Sequence, residues 1–166
     1  PIDSPYLVSY IKEKTRTLDL NNFFLLASPT QKSALQELSE LGLLTEAGVC
    51  GFLEDDQSIM NSYLMKKILE YLKALERPLL SYCEDAYLSH KTSIHEGAYS
   101  NLLGLRGSPS EAEEIMVARD IALCKLTQTP IHFIKISSKG SLELIRLAKK
   151  QGIPITASTS VAHLFL

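Results

Sequence analysis

Ionisable and hydroxyl side chains stand at the ends of the strands that this sequence predicts. Asp55 lies in an acidic run, residues 54–56, that follows one apolar segment, Tyr82 closes another, and Lys135 lies near the end of a third. A carboxylate can bind a metal ion, but a phenol is a poor zinc ligand near neutral pH because its pKa is about 10. A protonated lysine has no lone pair to offer zinc. The strand ends thus carry two residues unsuited to metal binding and one carboxylate, Asp55, that could bind a metal or cap the next helix.

The elements that must position these residues alternate between strand and helix. We predict strands at residues 23–27, 49–53, 79–82, 131–136 and 153–159. We predict helices over residues 5–17, around 34–41, over 64–75, from 109 or 110 to 127 and over 141–151, with a polar connection at 84–108. This alternation predicts an α/β fold with a parallel sheet, and parallel sheets normally carry their chemistry at the carboxyl ends of the strands.

Two architectures fit this order of elements. One is a complete five-stranded, doubly wound sheet, and the other is five successive strands of an eight-stranded (β/α)8 barrel of the TIM type. A leading helix and a terminal strand favour the barrel, because the first helix then lacks the strand that should precede it. We therefore expect residues 1–166 to form a single partial domain, the central portion of such a barrel.

Composition limits the partners and the compartment. The formal net charge of −2 gives no electrostatic reason to expect nucleic acid or an anionic membrane as a partner. No apolar run approaches the roughly 20 residues of a membrane span. The three cysteines are odd in number and far apart, which favours reduced thiols and a cytoplasmic location. Both ends look like cuts through a larger protein; a small complete domain with a processed N-terminus is the alternative.

Several segments resemble the dihydroorotases, which are zinc-dependent cyclic amidohydrolases. The segment 78–85 resembles the signature of that family's fifth strand, and the helix 110–123, SEAEEIMVARDIAL, matches the family's helix almost letter for letter. Further motifs are matched by residues 1–5, 51–56, 94–97, 132–137 and 154–166. The resemblance covers essentially the whole chain and implies a TIM-type barrel of the metal-dependent hydrolase kind.

The departures from the family pattern fall on its metal site. Tyr82 stands where the family has one metal-binding histidine and Lys135 where it has a second, whereas Asp55 keeps the place of the metal-site aspartate. His163 keeps one imidazole of a Pro-His-His motif, and Asp56 replaces a glycine. The resemblance thus implies that Asp55 is a vestigial metal ligand and that Tyr82 and Lys135 are degenerate metal-site positions. It implies no catalytic residue in this chain and leaves the substrate-binding residues unknown.

The family resemblance also implies a reaction, a cofactor and partners. The reaction is the reversible ring closure of carbamoyl-aspartate to dihydroorotate in pyrimidine biosynthesis, in which zinc supplies a bound hydroxide and acts as a Lewis acid. The degenerate site implies a catalytically defective chain, a pseudoenzyme that binds no cofactor of its own. Aspartate carbamoyltransferase is the expected partner, which such a homologue would support structurally. We also expect self-association, or missing barrel segments, to cover the open sheet.

Alternatives remain open for the function and for Lys135. The chain could contribute to a working amidohydrolase whose reduced metal site is completed by strands outside this segment, or it could be a small, non-catalytic α/β binding module. Lys135 could be a solvated lysine, a carbamylated metal-bridging lysine, or an ammonium that replaces the charge of the metal.

The remaining polar candidates have simpler interpretations. We expect Glu84 and Asp85 to orient loop backbone and His132 to be a satisfied core or rim histidine. We expect His90 and His95 to face solvent. Cys50, Cys83 and Cys124 are expected to be core residues.

Overall fold

Helices and strands alternate through the described part of the chain. The computed structural model describes residues 1–16, 22–54 and 57–165. Its strands are β1 (Leu26–Ala27), β2 (Gly51–Leu53), β3 (Leu79–Tyr82), β4 (Ile94–His95), β5 (Gly107–Ser108), β6 (Ile131–Ile134) and β7 (Ile155–Ala157). Its α-helices are α1 (Pro5–Arg16), α2 (Leu41–Glu46), α3 (Ser62–Leu75), α4 (Ala98–Leu103), α5 (Glu111–Thr127), α6 (Lys139–Lys150) and α7 (Ala162–Phe165).

Five parallel strands form the main sheet in the order β1-β2-β3-β6-β7. The order follows the chain without reversal, because β4 and β5 pair with each other in a separate small sheet. This confirms the predicted parallel sheet in sequential order. A doubly wound sheet would switch its strand order, so that architecture and the self-contained binding module built on it are not what the chain forms.

One face of the main sheet is buried under helices, and among the described residues the other face is more open. A row of register partners is buried and comprises Ala27, Phe52, Leu79, Ile131 and Ile155. The side chains that alternate with this row are half-buried or exposed, and we call them the bare face: Leu53, Leu80, Tyr82, His132, Ile134 and Thr156. Side chains alternate between the two faces of a strand, so a single helical layer accounts for this pattern.

The helices form that single layer in chain order. Contacts join α1 to α2, α2 to α3, α3 to α5 and α5 to α6. Such continuous neighbours are expected when every crossover lies on the outer side of a barrel wall. The amphipathic face of α3 shows the physical basis, because Leu64, Ile68 and Leu72 recur at helical spacing and are buried, while Leu75 at the end of the same face is half-buried.

The helix predicted around residues 34–41 was wrong, and four of the five predicted strands are shorter than expected. Residues 34–41 are not a helix: a 3₁₀ turn (Gln31–Ser33) is followed by an antiparallel bridge between Thr30 and Leu38, and the helix begins only at Leu41. The apolar spacing was real, but Lys32, Ser33 and Leu35 have φ near +55°, outside the range of a right-handed helix. The first strand begins only at Leu26, and the Phe23 and Phe24 side chains before it are exposed to solvent.

The polar connection 84–108 contains structure that the sequence pattern did not predict. It holds β4, α4 and β5, and the β4–β5 pair requires a close approach of backbone. A Cβ atom added to Gly107 would overlap the Glu96 backbone, so only glycine fits there.

Capping residues stand at the start of α1 and just after the end of α6. The Ser4 hydroxyl accepts a hydrogen bond of 3.4 Å from the Leu7 amide at the start of α1. Gly152 adopts a φ of 75° just after α6, the left-handed conformation that favours glycine. Within the described ranges, no helix combines the length and apolarity that crossing a bilayer requires.

Candidate functional site at the strand ends

Tyr82 lies at the carboxyl end of β3, on the bare face of the sheet. Its neighbours Ser81 and Cys83 are buried on the helical side, whereas Tyr82 is half-buried. The Tyr82 hydroxyl donates a hydrogen bond of 2.6 Å to Glu84 Oε2. A phenol that donates to a carboxylate keeps its proton, so in this arrangement the Tyr82 oxygen is a hydrogen-bond donor to the protein.

Ser58 joins the end of β3 to the segment that follows β2. The Ser58 hydroxyl donates a hydrogen bond of 2.8 Å to the Tyr82 carbonyl and accepts one of 2.6 Å from the Glu84 amide. One buried side chain thus satisfies two backbone groups of the neighbouring loop. Next to it, Asp85 Oδ1 accepts from the amides of Tyr87 and Leu88 and orients the loop backbone, as expected.

Lys135 follows β6 directly and lies beside Tyr82. Ile134 is the register partner of Tyr82, so the next residue along β6 reaches the same end of the sheet. The Lys135 ammonium lies 5.6 Å from the centre of the Tyr82 ring, within cation–π range. Lys135 has a φ of 58°, which is uncommon for a residue other than glycine and explains why β6 ends at Ile134 and not at residue 136.

Asp55 and Asp56 lie outside the described residues, but Glu54 is within them and is buried. Glu54 is 2% exposed and accepts hydrogen bonds from Thr30 Oγ1 at 2.6 Å and Ser28 Oγ at 3.1 Å. A carboxylate can be buried when hydroxyl donors satisfy its oxygens. Sequence reasoning did not single out Glu54. The signal in the sequence that could have indicated a buried carboxylate was the pair of hydroxyl residues at the end of the neighbouring strand, Ser28 and Thr30.

Tyr82 and Lys135 do not supply the ligand atoms that zinc requires. Protein zinc sites use imidazole, thiolate or carboxylate ligands, whereas these two positions offer a phenol already bonded to Glu84 and an ammonium. Across residues 1–16, 22–54 and 57–165, no three His, Cys, Asp or Glu side chains are grouped so as to hold a metal ion. Neither Tyr82 nor Lys135, as described, therefore fits zinc as a ligand.

A buried polar cluster supports the end of β3 from the helical side. Asp120 of α5 is fully buried. Its Oδ2 accepts a hydrogen bond of 2.7 Å from Ser81 Oγ, and its Oδ1 accepts one of 2.6 Å from the Arg119 guanidinium. Burial raises the pKa of Asp120, against the opposing effect of Arg119 and of the hydrogen bonds. Burial likewise raises the pKa of the adjacent Cys83 thiol well above its ordinary value, with Asp120 adding to the effect, so Cys83 is an unreactive thiol. Sequence reasoning missed this cluster.

His132 is held by two hydroxyls on the bare face. Its Nδ1 lies 2.7 Å from Thr156 Oγ1 and its Nε2 lies 3.1 Å from Ser158 Oγ. Partial burial, together with the positive charge of Lys149, lowers the pKa of His132. The neutral imidazole therefore joins β6 to β7, which agrees with a satisfied rim histidine.

The other histidines and the cysteines lie away from these strand ends. His90 and His95 are exposed, as predicted, and His163 is exposed in α7. All three cysteines are free thiols, and Cys83 and Cys124 are buried as expected. Cys50 is exposed, so its predicted place in the core was wrong; its thiol bonds to the Leu25 carbonyl at the rim of the sheet.

Comparison with known proteins agrees with this architecture and with the motifs. The family model described as dihydro-orotase-like matches residues 4–141. A dihydroorotase from Endomicrobium trichonymphae is 40% identical over 158 residues, which is 95% of this chain and 37% of that protein. A dihydroorotase from Caldicellulosiruptor saccharolyticus is 36% identical over 166 residues, all of this chain and 39% of that protein. The chain thus spans less than half the length of these relatives.

Solved structures show the same fold at low sequence identity. The L-hydantoinase (dihydropyrimidinase) from Arthrobacter aurescens superimposes with a TM-score of 0.70 at 16% identity, over 96% of this chain and 37% of that one. The dihydropyrimidinase from Brevibacillus agri NCHU1002 gives a TM-score of 0.62 at 19% identity, over 87% and 32%. Together with the sequential parallel sheet, this likeness identifies the fold as part of a TIM-type barrel.

Proposed function

Because this chain belongs to the dihydroorotase-like family, we propose that it forms part of a dihydroorotase-like barrel in which it is itself catalytically defective. The family assignment rests on the match over residues 4–141 and on relatives at 36–40% identity. The reaction proposed for the lineage is the interconversion of carbamoyl-aspartate and dihydroorotate in pyrimidine biosynthesis, and the proposed location is the cytoplasm.

One observation carries the proposed loss of activity. Tyr82 and Lys135 stand together at the carboxyl ends of β3 and β6, at the positions that resemble the family's metal-binding histidines. In a barrel these ends face one axial pocket. A phenol bonded to Glu84 and an ammonium above its ring leave neither position with an imidazole lone pair for zinc.

The charge of Lys135 gives this replacement a physical rationale. A site built for a divalent cation concentrates carboxylates, and these repel one another once the cation is lost. Asp55, which keeps the place of the family's metal-site aspartate, is the carboxylate that we expect to remain. An ammonium at the end of β6 supplies part of the missing positive charge without a metal.

The proposed role for such a chain is structural, as a partner of aspartate carbamoyltransferase. The support for this partner is the family resemblance. The bare face provides a separate reason to expect a covering surface, because half-buried apolar side chains such as Leu80 and Ile134 lie on it.

Zinc content and activity test the proposal. The full-length protein, purified without chelators, should contain less than about one zinc per chain by elemental analysis. It should show no cyclisation of carbamoyl-aspartate above the background of a buffer blank. A stoichiometric zinc ion together with turnover would overturn the proposed loss of activity and leave the family assignment intact.

A second candidate is a working amidohydrolase with a reduced metal site. Asp55 favours it, since this carboxylate keeps the place of the family's metal-site aspartate. In that case zinc would be present at about one equivalent, and Asp55→Asn would lower zinc affinity. If the protein is inactive and free of zinc, this candidate is excluded.

A further inference from the structure

The Arg119 and Asp120 pair on α5 contacts both loops that carry the candidate site. Arg119 donates through Nε and through a terminal nitrogen to Asp120 Oδ1, at 2.8 and 2.6 Å. Its other terminal nitrogen donates to the carbonyls of Ile59 and Met60, at 2.6 and 3.2 Å. One guanidinium therefore links helix α5 to the segment that follows β2.

The Asp120 carboxylate makes the second connection, to β3. Its Oδ2 accepts from Ser81 Oγ at 2.7 Å and from the Cys83 thiol at 3.6 Å. Ser81 and Cys83 flank Tyr82 in the sequence, so Asp120 holds the strand on both sides of the tyrosine. The Asp120 side chain is fully buried and the Arg119 side chain is 17% exposed, which keeps these bonds away from competing water.

Ser58 links the segment after β2 directly to the loop after β3. It directly precedes Ile59, whose carbonyl Arg119 binds, and its hydroxyl contacts the Tyr82 carbonyl and the Glu84 amide. The position of Glu84, which receives the Tyr82 hydroxyl, therefore depends on a chain of short contacts that begins at α5.

We propose that Arg119 and Asp120 are positioning residues that hold residues 58–60 and the end of β3 together, and so fix the geometry of Tyr82 and Glu84. A pair that served only the general stability of the core would not need its guanidinium directed to two loop carbonyls. The planar, forked guanidinium can satisfy the carboxylate and both carbonyls at once, which an ammonium cannot do. This role is independent of whether the protein binds zinc or turns over a substrate.

The test separates positioning from the cost of an unpaired buried charge. Arg119→Met alone would leave the buried Asp120 carboxylate without its positively charged partner. We therefore use the double variant Arg119→Met/Asp120→Asn, which removes both charges. The amide oxygen introduced by Asp120→Asn can still accept a hydrogen bond from Ser81, while the loop carbonyls lose their donor. The matched control is Thr129→Val. It removes a buried hydroxyl, just before β6, that donates a hydrogen bond of 2.7 Å to the Leu69 carbonyl of α3.

Two measurements report on the site itself. In the full protein, hydrogen exchange of the Glu84 amide should be roughly tenfold faster in the double variant, while exchange of the Phe52 amide within the sheet stays close to the parent. The NMR signals of the Tyr82 ring, assigned with Tyr82→Phe, should move as the bond to Glu84 loosens. Thr129→Val should leave both readouts unchanged. Parent-like exchange at Glu84 in a folded double variant, or equal acceleration by Thr129→Val, would overturn the proposal.

Arg119→Lys keeps the test decisive if the double variant does not fold. Lysine retains the charge opposite Asp120 but cannot reach the carboxylate and both loop carbonyls together. Exchange at Glu84 should then lie between that of the parent and that of an unprotected amide. Parent-like exchange at Glu84 in Arg119→Lys would show that the contacts to Ile59 and Met60 do not position the site.

Discussion

The Lys135 ammonium lies 5.6 Å from the centre of the Tyr82 ring, across the boundary between β6 and β3. The Tyr82 hydroxyl in turn donates to Glu84, so cation, ring and carboxylate follow one another at the same end of the sheet. A cation over an aromatic ring contributes about 0.5–1 kcal/mol at an exposed site. The contact is thus modest in energy. It matters because Tyr82 and Lys135 stand at the positions that resemble the family's metal-binding histidines.

Restoring histidine at both positions should increase zinc binding. The double variant Tyr82→His/Lys135→His of the full-length parent returns two neutral imidazoles and removes a positive charge, so zinc measured by elemental analysis should rise above the parent value. The matched control, Tyr71→His/Leu147→His, adds two imidazoles at exposed helical positions and should not raise it. Equal zinc in both double variants would mean that the pocket has diverged beyond Tyr82 and Lys135.

Removing the charge of Lys135 should lower the stability of the fold only slightly, and the same variant tests whether Lys135 pairs with Asp55. Because Lys135 is exposed in the structure, we expect Lys135→Met to lower the free energy of unfolding by about 1 kcal/mol or less, and not by the roughly 3–5 kcal/mol of a broken buried pair. Asp55 lies outside the described residues; we expect it to pair with Lys135, and a double-mutant cycle with Asp55→Asn tests this pairing. Coupling is expected, whereas simple additivity would argue against the pairing. Lys139→Met, at a highly exposed lysine, is the control.

Glu113 should make stability depend on pH in the acid range. Burial acts to raise the pKa of Glu113, but hydrogen bonds from Ser141, Ser137 and the Ser138 amide outweigh it and lower the pKa below its usual value of 4.5. The lowered pKa means that Glu113 stabilises the fold above its unfolded-state pKa, and that this contribution is lost as pH falls through the folded-state pKa.

Urea unfolding of the parent and of Glu113→Gln measures that contribution. The parent should be more stable than the variant near neutral pH, and the difference should shrink between about pH 5 and about pH 3. Glu111→Gln, an exposed position in the same turn of α5, is the control and should show a smaller pH-dependent difference. A gap between parent and Glu113→Gln that stays constant with pH would contradict the assigned hydrogen bonds.

The bare face should make the isolated 166-residue chain self-associate. Within the described residues, β1 and β7 are the edge strands of the main sheet, and Leu80 and Ile134 lie on its bare face. We expect sedimentation to show concentration-dependent oligomers, and Leu80→Ser/Ile134→Ser to reduce them. Leu147→Ser, on the exposed surface of α6, should have no such effect. A cleanly monomeric parent that melts cooperatively would contradict this prediction.

The sequence by itself determined the type and order of the main elements. Apolar segments bounded by polar turns predicted five parallel strands, and the helical period of residues such as Leu64 and Ile68 predicted α3, because these patterns depend on neighbours a few positions apart. The same local information identified Tyr82 and Lys135 as residues that bind zinc poorly, since that is a property of the side chain alone. Local pattern failed at residues 34–41, where the contact between Thr30 and Leu38 overrode the helical spacing.

Only the tertiary structure decided which of these residues meet. The register of β3 against β6 places Lys135 above Tyr82, and the packing of α5 on the sheet brings Asp120 to Ser81. Glu54 is buried because two hydroxyls of the neighbouring strand end satisfy it, and not because of its own sequence context. Such contacts join residues that are distant along the chain, so they depend on strand register and helix packing, which a one-dimensional pattern of polarity does not encode.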